Sequence, residues 1–414
     1  MKKILFGCIA LLSTVSYGAS VDALANSTPA YMGNPAQNAT LTAEAVYYNP
    51  AGLVHLEDGN YMSIGGQLSN ITYEMEKGGD NYKANDPMGI IPNLSYIHKS
   101  GDWAFYANTG GAAGGPTLDY EDGVPLLDGL LHGGLGADFG GSGTVEGKNA
   151  YVMANLGTAY RLNNEWSVAA GVKYIYAQRN IKIEVKDTKQ YPTSPITKGL
   201  DGTYDAERTA QGFGGTFGVN YRPNDRLNMA VTYNTKVKLE FEADSEGSGS
   251  LGVMLPAIAA NPAGAALAPI IDGDKRWRDL PAELKYGVSY KMTDKWTVMG
   301  GGNYFFISEA DTDGKDGFKN GWEVNVGTEY QVSERWTLTT GYNYADTGAS
   351  DETFNDTEFA LNSHIFTVGA KFQQNSNLEW TFGTMYVDYI DHEVDGVNYK
   401  KNIIATGISA AYKF

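Results

Sequence analysis

From Tyr61 to Phe414 the chain alternates apolar and polar positions with a period of two, the spacing of strands with one dry and one wet face. The alternating segments fall at about 61–73, 90–98, 102–110, 150–160, 165–179, 211–221, 226–241, 283–290, 295–307, 321–330, 335–345, 363–372, 377–389 and 402–414. A seven-residue phrase punctuates them: Tyr160–Trp166 reads YRLNNEW, Tyr290–Trp296 YKMTDKW and Tyr330–Trp336 YQVSERW. Looser copies stand at Tyr96–Trp103, Tyr221–Leu227 and Phe372–Trp380. Each copy ends one segment on an aromatic residue, turns through polar residues and opens the next on an aromatic or apolar one. That is a tight hairpin with its rings at one level, as in the aromatic girdle of a membrane barrel. The pattern predicts an all-β fold, a transmembrane antiparallel β-barrel of about fourteen strands. An even count brings both ends of a single-chain barrel to the same side.

The same period assigns faces. Trp166, Val168, Ala170, Val172, Tyr174 and Tyr176 face lipid, and Ser167, Ala169, Gly171, Lys173, Ile175 and Arg179 face the bore. Around 226–241 the lipid set is Leu227, Met229, Val231, Tyr233, Val237 and Leu239, with Lys236 and Lys238 inward. Near 283–290, Lys285 points inward.

Three stretches depart from alternation. Residues 1–18 read as a secretory leader, with Lys2 and Lys3, an apolar run from Ile4 to Leu12, and a small-x-small cleavage site at Ser16-Tyr17-Gly18. The only cysteine, Cys8, leaves with it. Residues 19–58 precede the first strand, with a short helix expected over Thr42 to Tyr48 and then Asn49-Pro50-Ala51-Gly52-Leu53. There Asn49 can cap a turn that Pro50 begins. Such a length is excessive for a tail and is read as a plug lodged inside the barrel of residues 59–414. The third departure is a pair of long loops, at about 111–149 and 242–282, that are apolar for exposed segments. The first carries Leu126, Leu127, Leu130 and Leu131; the second carries Leu251, Met254, Leu255 and Ile258. These loops form either a capture groove for an apolar ligand or a cap packed on itself.

Composition agrees with a barrel: 51 glycines, 28 tyrosines and 12% aromatic residues. No run of about 18 apolar residues follows the leader, and strands whose faces alternate escape that test. The formal charge is −17; loss of Lys2 and Lys3 leaves 29 basic against 48 acidic residues, or −19. Nucleic acid is a poor partner for that surface. No cofactor is implied, and a monomer is expected.

The leader, the plug ending in Asn49-Pro50-Ala51-Gly52-Leu53, about fourteen strands and two apolar outer loops together resemble the FadL-like family. Its members are transporters of long-chain fatty acids and other hydrophobic compounds in the outer membrane of Gram-negative bacteria. Asn49, Pro50 and Ala51 match the family's plug motif; further Asn-Pro-Ala copies at Asn34–Ala36 and Asn261–Ala263 read as ordinary turns. The resemblance implies capture of a fatty acid or other hydrophobic small molecule between the outer loops and transfer to a lumenal site closed below by the plug. A shift of the plug and sideways release into membrane lipid follow, at an inward kink in the third strand. Gly110 and Gly111 open a glycine-rich stretch suited to that kink. Terminal Phe414 on an alternating strand looks like the signal read by the barrel-assembly machinery. A general porin or a surface adhesin is the alternative; an open aqueous channel needs neither plug nor apolar loops.

An anionic head group in the bore needs a cation, for which Lys173, Arg179, Lys236, Lys238 and Lys285 are candidates. The structural alternative pairs them with Glu240, Glu283, Glu323 or Glu329. No metal site is expected. Asp311–Gly317 echoes a calcium loop, but Trp322 stands where the twelfth-position Glu belongs, and the five histidines lack paired spacing. No enzyme is expected either, because Ser363 and His364 point to opposite faces and there is no GxSxG elbow. Deleting residues 19–52 is expected to turn an electrically quiet barrel into a conducting one in planar bilayers; unchanged conductance would remove the plug.

Overall fold

The computed structural model describes residues 28–85, 88–115, 117–128, 142–186, 201–260, 267–313, 317–356 and 359–414. The leader, Leu130, Leu131 and the Asn261–Ala263 copy lie outside them. Fourteen strands form the wall: β1 (Gly59–Lys77), β2 (Met88–Ser100), β3 (Trp103–Gly114), β4 (Ser142–Arg161), β5 (Trp166–Lys186), β6 (Gly202–Tyr221) and β7 (Leu227–Asn234). β8 (Glu283–Lys291), β9 (Trp296–Phe305), β10 (Gly321–Gln331), β11 (Trp336–Asp346), β12 (Ser363–Asn375), β13 (Leu378–Tyr389) and β14 (Val397–Lys413) complete it. Each pairs antiparallel with the next, and β14 returns to β1 from Tyr61↔Lys413 to Lys77↔Val397. Closure gives every wall strand a neighbour on both sides, which a bilayer favours because it offers backbone groups no other partner. The outer face is apolar and bare, with Ile64, Leu156, Val172 and Val368 each about 60% exposed or more.

The repeated phrase has one local cause. In each turn the fourth residue is a short polar side chain whose oxygen accepts the N–H of the residue opening the next strand: Asn163 from Trp166 at 2.9 Å, Thr293 from Trp296 and Ser333 from Trp336 at 3.1 Å each. Asn224 does the same for Leu227 at 3.0 Å. The rings form a belt by pairing across neighbouring strands: Trp103 with Tyr160 at 4.5 Å, Trp166 with Tyr221 at 4.4 Å, Trp336 with Phe372 at 4.6 Å. Short turns mark the periplasmic side, so the long loops are extracellular.

The structure departs from the sequence reading in four places. The expected loops contain wall: β4 already starts at Ser142, and Glu240–Gly247 forms a strand against β6 and Lys275–Trp277. Glycines such as Gly143 and Gly147 leave the alternation there without hydrophobic contrast. On β7 the faces invert beyond Asn234. Asn234 lies opposite Thr216 but Glu242 opposite Thr209, so one strand spends eight residues where its partner spends seven. That extra residue turns Val237 and Leu239 into the bore, both buried, and leaves Lys238 exposed. The plug helix is only Ala45–Tyr48, followed by a 3-10 turn, Pro50–His55. Asn49 precedes that turn without a side-chain cap; its Nδ2 donates to Thr40 O at 3.1 Å and Asn220 Oδ1 at 2.8 Å.

The plug is seated on wall glycines. Gly407, Gly383 and Gly369 stand opposite one another on β14, β13 and β12. A Cβ at Gly369 would lie 2.7 Å from the Gly33 Cα, and Pro29 and Met32 fill the space before Gly383 and Gly407. Asn34 presses on Gly327, and the Asn38–Ala39 backbone lies 2.8 Å from where a Gly287 Cβ would be. The Asn34–Ala36 turn is therefore part of the seat: Asn34 is fully buried and accepts the Ala36 N–H at 3.0 Å. Polar clasps complete it. Asn38 Nδ2 donates to Gly302 O at 3.0 Å and Asn303 Oδ1 at 2.8 Å, and Ser167 Oγ donates to Ala51 O at 2.7 Å. Gly327→Leu or Gly383→Val is expected to unseat the first half of the plug at a cost of about 1–3 kcal/mol. Protease nicking near residues 29–39 should rise while the barrel's heat-modifiable gel mobility stays unchanged; unaltered nicking would contradict the seat.

Candidate functional site

The outer mouth is capped. Leu118, Tyr120, Val124 and Leu127 of the first loop join Leu251, Leu255 and Ile270 of the second in one apolar cluster. Leu251, Leu255 and Ala259 recur every four residues along the helix Gly249–Ala259 and form its buried face. Leu127, Leu251 and Leu255 thus form the core of the cap, while Leu126 is 43% exposed and Met254 and Ile258 are half-buried beside it. The loop between β11 and β12 pins the cap. Buried Asp356 accepts the Leu126 N–H and, at 3.1 Å, the Tyr399 hydroxyl. Burial raises its carboxyl above the usual range.

Below the cap, Tyr151 and Met153 of β4, Ile175 and Ala177 of β5, and the inverted Val237 and Leu239 form a second apolar cluster. It surrounds a pocket lined by Ala112, Met153, Lys173, Ile175, Leu280 and Phe305, with Asn234 and Glu283 at its polar end. Its free space is about 40 Å³. That is room for one or two waters, so an alkyl chain has to spread the pocket to enter.

Of the five basic candidates, Lys238 is exposed and three are engaged. Arg179 shares Asp313 Oδ2 with Arg208 and Arg278, at 3.3, 3.3 and 4.0 Å. Lys236 donates to Glu309 O at 2.8 Å and lies 3.4 Å from Asp279. Lys285 sits 3.5 Å from Glu283 and 5.8 Å from the Tyr48 ring centre. Among the described residues, Lys173 has no hydrogen bond or ion pair within 4 Å, and it faces the pocket. Three further inward lysines are absent from the sequence candidates; Lys99 of β2 pairs with Asp58 at 2.8 Å near the periplasmic end. Lys371 pairs with Glu329 at 2.8 Å, and Lys401 lies between the Tyr73 and Tyr389 rings at 4.9 and 4.3 Å. Counting in twos from lipid-facing Val368 and Ile404 would have found Lys371 and Lys401.

Beside the pocket the wall is incompletely laced. The β2–β3 ladder ends at Leu94↔Thr109, so Gly110–Gly114 has no β2 partner, while β3 bulges against β4 between Gly111 and Ala113. Pro92 on the β2 lip has no N–H to offer. The lips still touch, with only about 20 Å³ free between them. Gly110 lies seven residues above Trp103, where β3 leaves the turn, or roughly 18 Å at a usual strand tilt, still inside the apolar band of a barrel.

Among the described residues no cluster of three or more metal-ligating side chains occurs. The features define a plugged fourteen-strand outer-membrane channel with an apolar cap, a small lumenal pocket and an unlaced stretch of wall. The chain belongs to the family described as outer membrane protein transport protein (OMPP1/FadL/TodX), whose model matches residues 15–413. Members of that family are outer-membrane transport channels and not enzymes. A long-chain fatty acid transport protein of Escherichia coli O6:H1 is 25% identical over 227 residues, 50% of this chain and 43% of that protein. Its counterpart in Escherichia coli K12 is 28% identical over 129 residues, 26% and 28% of the two chains. The matches thus span less than half the length of these relatives. In fold, the chain resembles a Pseudomonas aeruginosa FadL homologue (TM-score 0.70, 15% identity, 96% of this chain and 100% of that one). It also resembles the P. putida toluene transporter TodX (TM-score 0.67, 16% identity, 90% and 94%).

The plug's far end carries a titratable clasp. Burial first, then Arg222, Arg161 and Lys99, push the His55 imidazole down to about 4, and its Nε2 lies 3.4 Å from Asn220 Nδ2. A seated plug thus holds His55 neutral, whereas a released one protonates it near 6.5. Anchorage is complete above about pH 6.5 and weakens as pH falls toward 4, by at most about tenfold per pH unit. Proteolysis near residues 50–56 is expected to rise between pH 7 and 5, and His55→Gln to flatten the profile; the same rise in the variant would contradict the clasp.

Proposed function

We propose that the protein takes up long-chain fatty acids or other hydrophobic small molecules by passive diffusion and releases them sideways. The observation that carries this reading is a bore filled by its own plug beside a wall that is unlaced next to an apolar pocket. Leu126 of the first loop and Met254 and Ile258 of the second offer the capture surface. Removing an alkyl chain from water there gains about 25 cal/mol per Å². The ligand then spreads the pocket between Met153, Ile175 and Leu280 and leaves between Pro92 and Gly111. Lys173 suits an anionic head group, since it has no ion pair among the described residues. The plug, including Asn49, Pro50, Ala51 and Gly52, keeps water and ions out during transit. A wholesale shift of it is unnecessary when the exit lies in the wall. A general porin is disfavoured by the filled bore. Curated relatives named for fatty acids and fold neighbours named for toluene both support an apolar cargo.

Pro92→Ile combined with Gly111→Val supplies β2 with its missing N–H and β3 with a strand-forming residue. Uptake of a labelled long-chain acid is expected to fall at least ~10-fold by the loss of one favourable opening step, with heat-modifiable gel mobility intact. Undiminished uptake by a correctly folded variant would move the exit elsewhere.

A further inference from the structure

Two asparagines at the foot of the seam are unexplained by the plug, the cap or the wall. Asn108 on β3 stands directly opposite Asn155 on β4, and Asn155 directly opposite Lys173 on β5. All three face the bore in one cross-strand row. Asn108 lies one step below the last β2–β3 pair, Leu94↔Thr109, so the row is the first inward-facing level beneath the unlaced stretch. Both amides are 5% exposed, and neither makes a hydrogen bond among the described residues; the Oδ1 atoms are fully enclosed. Asn38, Asn49, Asn220 and Asn228 clasp the plug or one another, while Asn325 and Asn343 face each other unpaired across β10 and β11; the Asn108–Asn155 pair is set apart by its place beneath the seam, beside Lys173. Leaving two amides unpaired in a low-dielectric lumen is unfavourable unless something arrives to bind them.

We propose that Asn108 and Asn155, with Lys173 beside them, form a head-group shelf for a single-headed amphiphile bearing a hydroxyl or carboxyl group. The inference rests on the uptake reading and specifies its cargo. A primary amide both donates and accepts, which matches a group that does both, and the ammonium of Lys173 adds complementarity to a carboxylate. Met153 and Ile175 are the next inward residues above Asn155 and Lys173 on their strands and line the apolar pocket. A head on the shelf therefore places the tail in the pocket and beside the seam, and the molecule enters the membrane tail first. A bare hydrocarbon fills the pocket equally well but leaves the amides unpaired, so the shelf discriminates by head group.

The test compares cellular uptake of labelled dodecanoate, 1-dodecanol and dodecane by the full chain, against cells lacking it. Variants are Asn108→Leu, Asn155→Leu, the double variant and Lys173→Met, with gel mobility as the folding control. The wild type is expected to favour acid and alcohol over dodecane by about tenfold or more. The leucine variants should lower acid and alcohol uptake to near the dodecane rate without slowing dodecane, and Lys173→Met should slow the acid alone. Equal rates for all three ligands in the wild type, or equal slowing of all three in the leucine variants, would overturn the shelf while leaving hydrophobic uptake standing. No uptake of any ligand by the wild type would overturn both.

Discussion

Inside a bilayer a backbone N–H or C=O has no partner except another strand, and this constraint organises the molecule. It demands closure, which the β1–β14 ladder supplies along nearly the whole of β1. Closure makes the two irregularities in the wall conspicuous. One is the unlaced upper half of β2 and β3; the other is the extra residue on β7. They meet in one place: Ala112 and Ala113 from the β3 bulge pack on the cluster that holds Val237 and Leu239 from the β7 inversion. The wall departs from regular pairing where an apolar pocket is built, and Ala112 of the β3 bulge lines that pocket.

The bore is closed by a different physics. A barrel of fourteen strands is too wide for its own side chains to fill, so the space goes to Pro29–His55. The wall admits that segment closely because inward positions on β8, β10, β12, β13 and β14 are glycines. Asparagine side chains then satisfy the backbone groups that a non-helical, non-sheet segment leaves open. Two halves result: Pro29–Ala39 lies on β8 to β14, and Asn49–His55 on β4 to β7, with the half-buried Leu41–Glu44 between them.

Much of this was legible in the chain, for physical reasons. Parity along a strand is rigid, so Lys173, Arg179 and Lys285 were correctly placed inward from sequence alone. The Asn163, Thr293 and Ser333 turns carry their own hydrogen-bonding residue, so each hairpin announced itself. Other features are invisible to a period. One additional residue near Thr235 reversed the faces of Val237, Lys238 and Leu239 without any local signal. Glycine has no hydropathy contrast, so neither the seat at Gly369 and Gly383 nor the tall β4 wall could be read. The Asn108–Asn155–Lys173 row exists only in register between strands far apart in sequence. The leucine-rich loops read as equally suited to groove or cap; Leu127, Leu251 and Leu255 went to the core of the cap, and Leu126 stayed exposed.

Sideways release requires that a ligand leave through the wall while the plug's second half stays seated. Ala51 and Gly218 offer a direct test, because a Cβ at Gly218 would lie 3.4 Å from the Ala51 Cβ, close to disulfide spacing. In the paired variant Ala51→Cys with Gly218→Cys, oxidation ties plug to wall, and Cys8 in the leader is the only other thiol. Long-chain fatty acid uptake should proceed at the same rate in the oxidised and reduced forms. Uptake that stops on oxidation and returns on reduction would contradict the account.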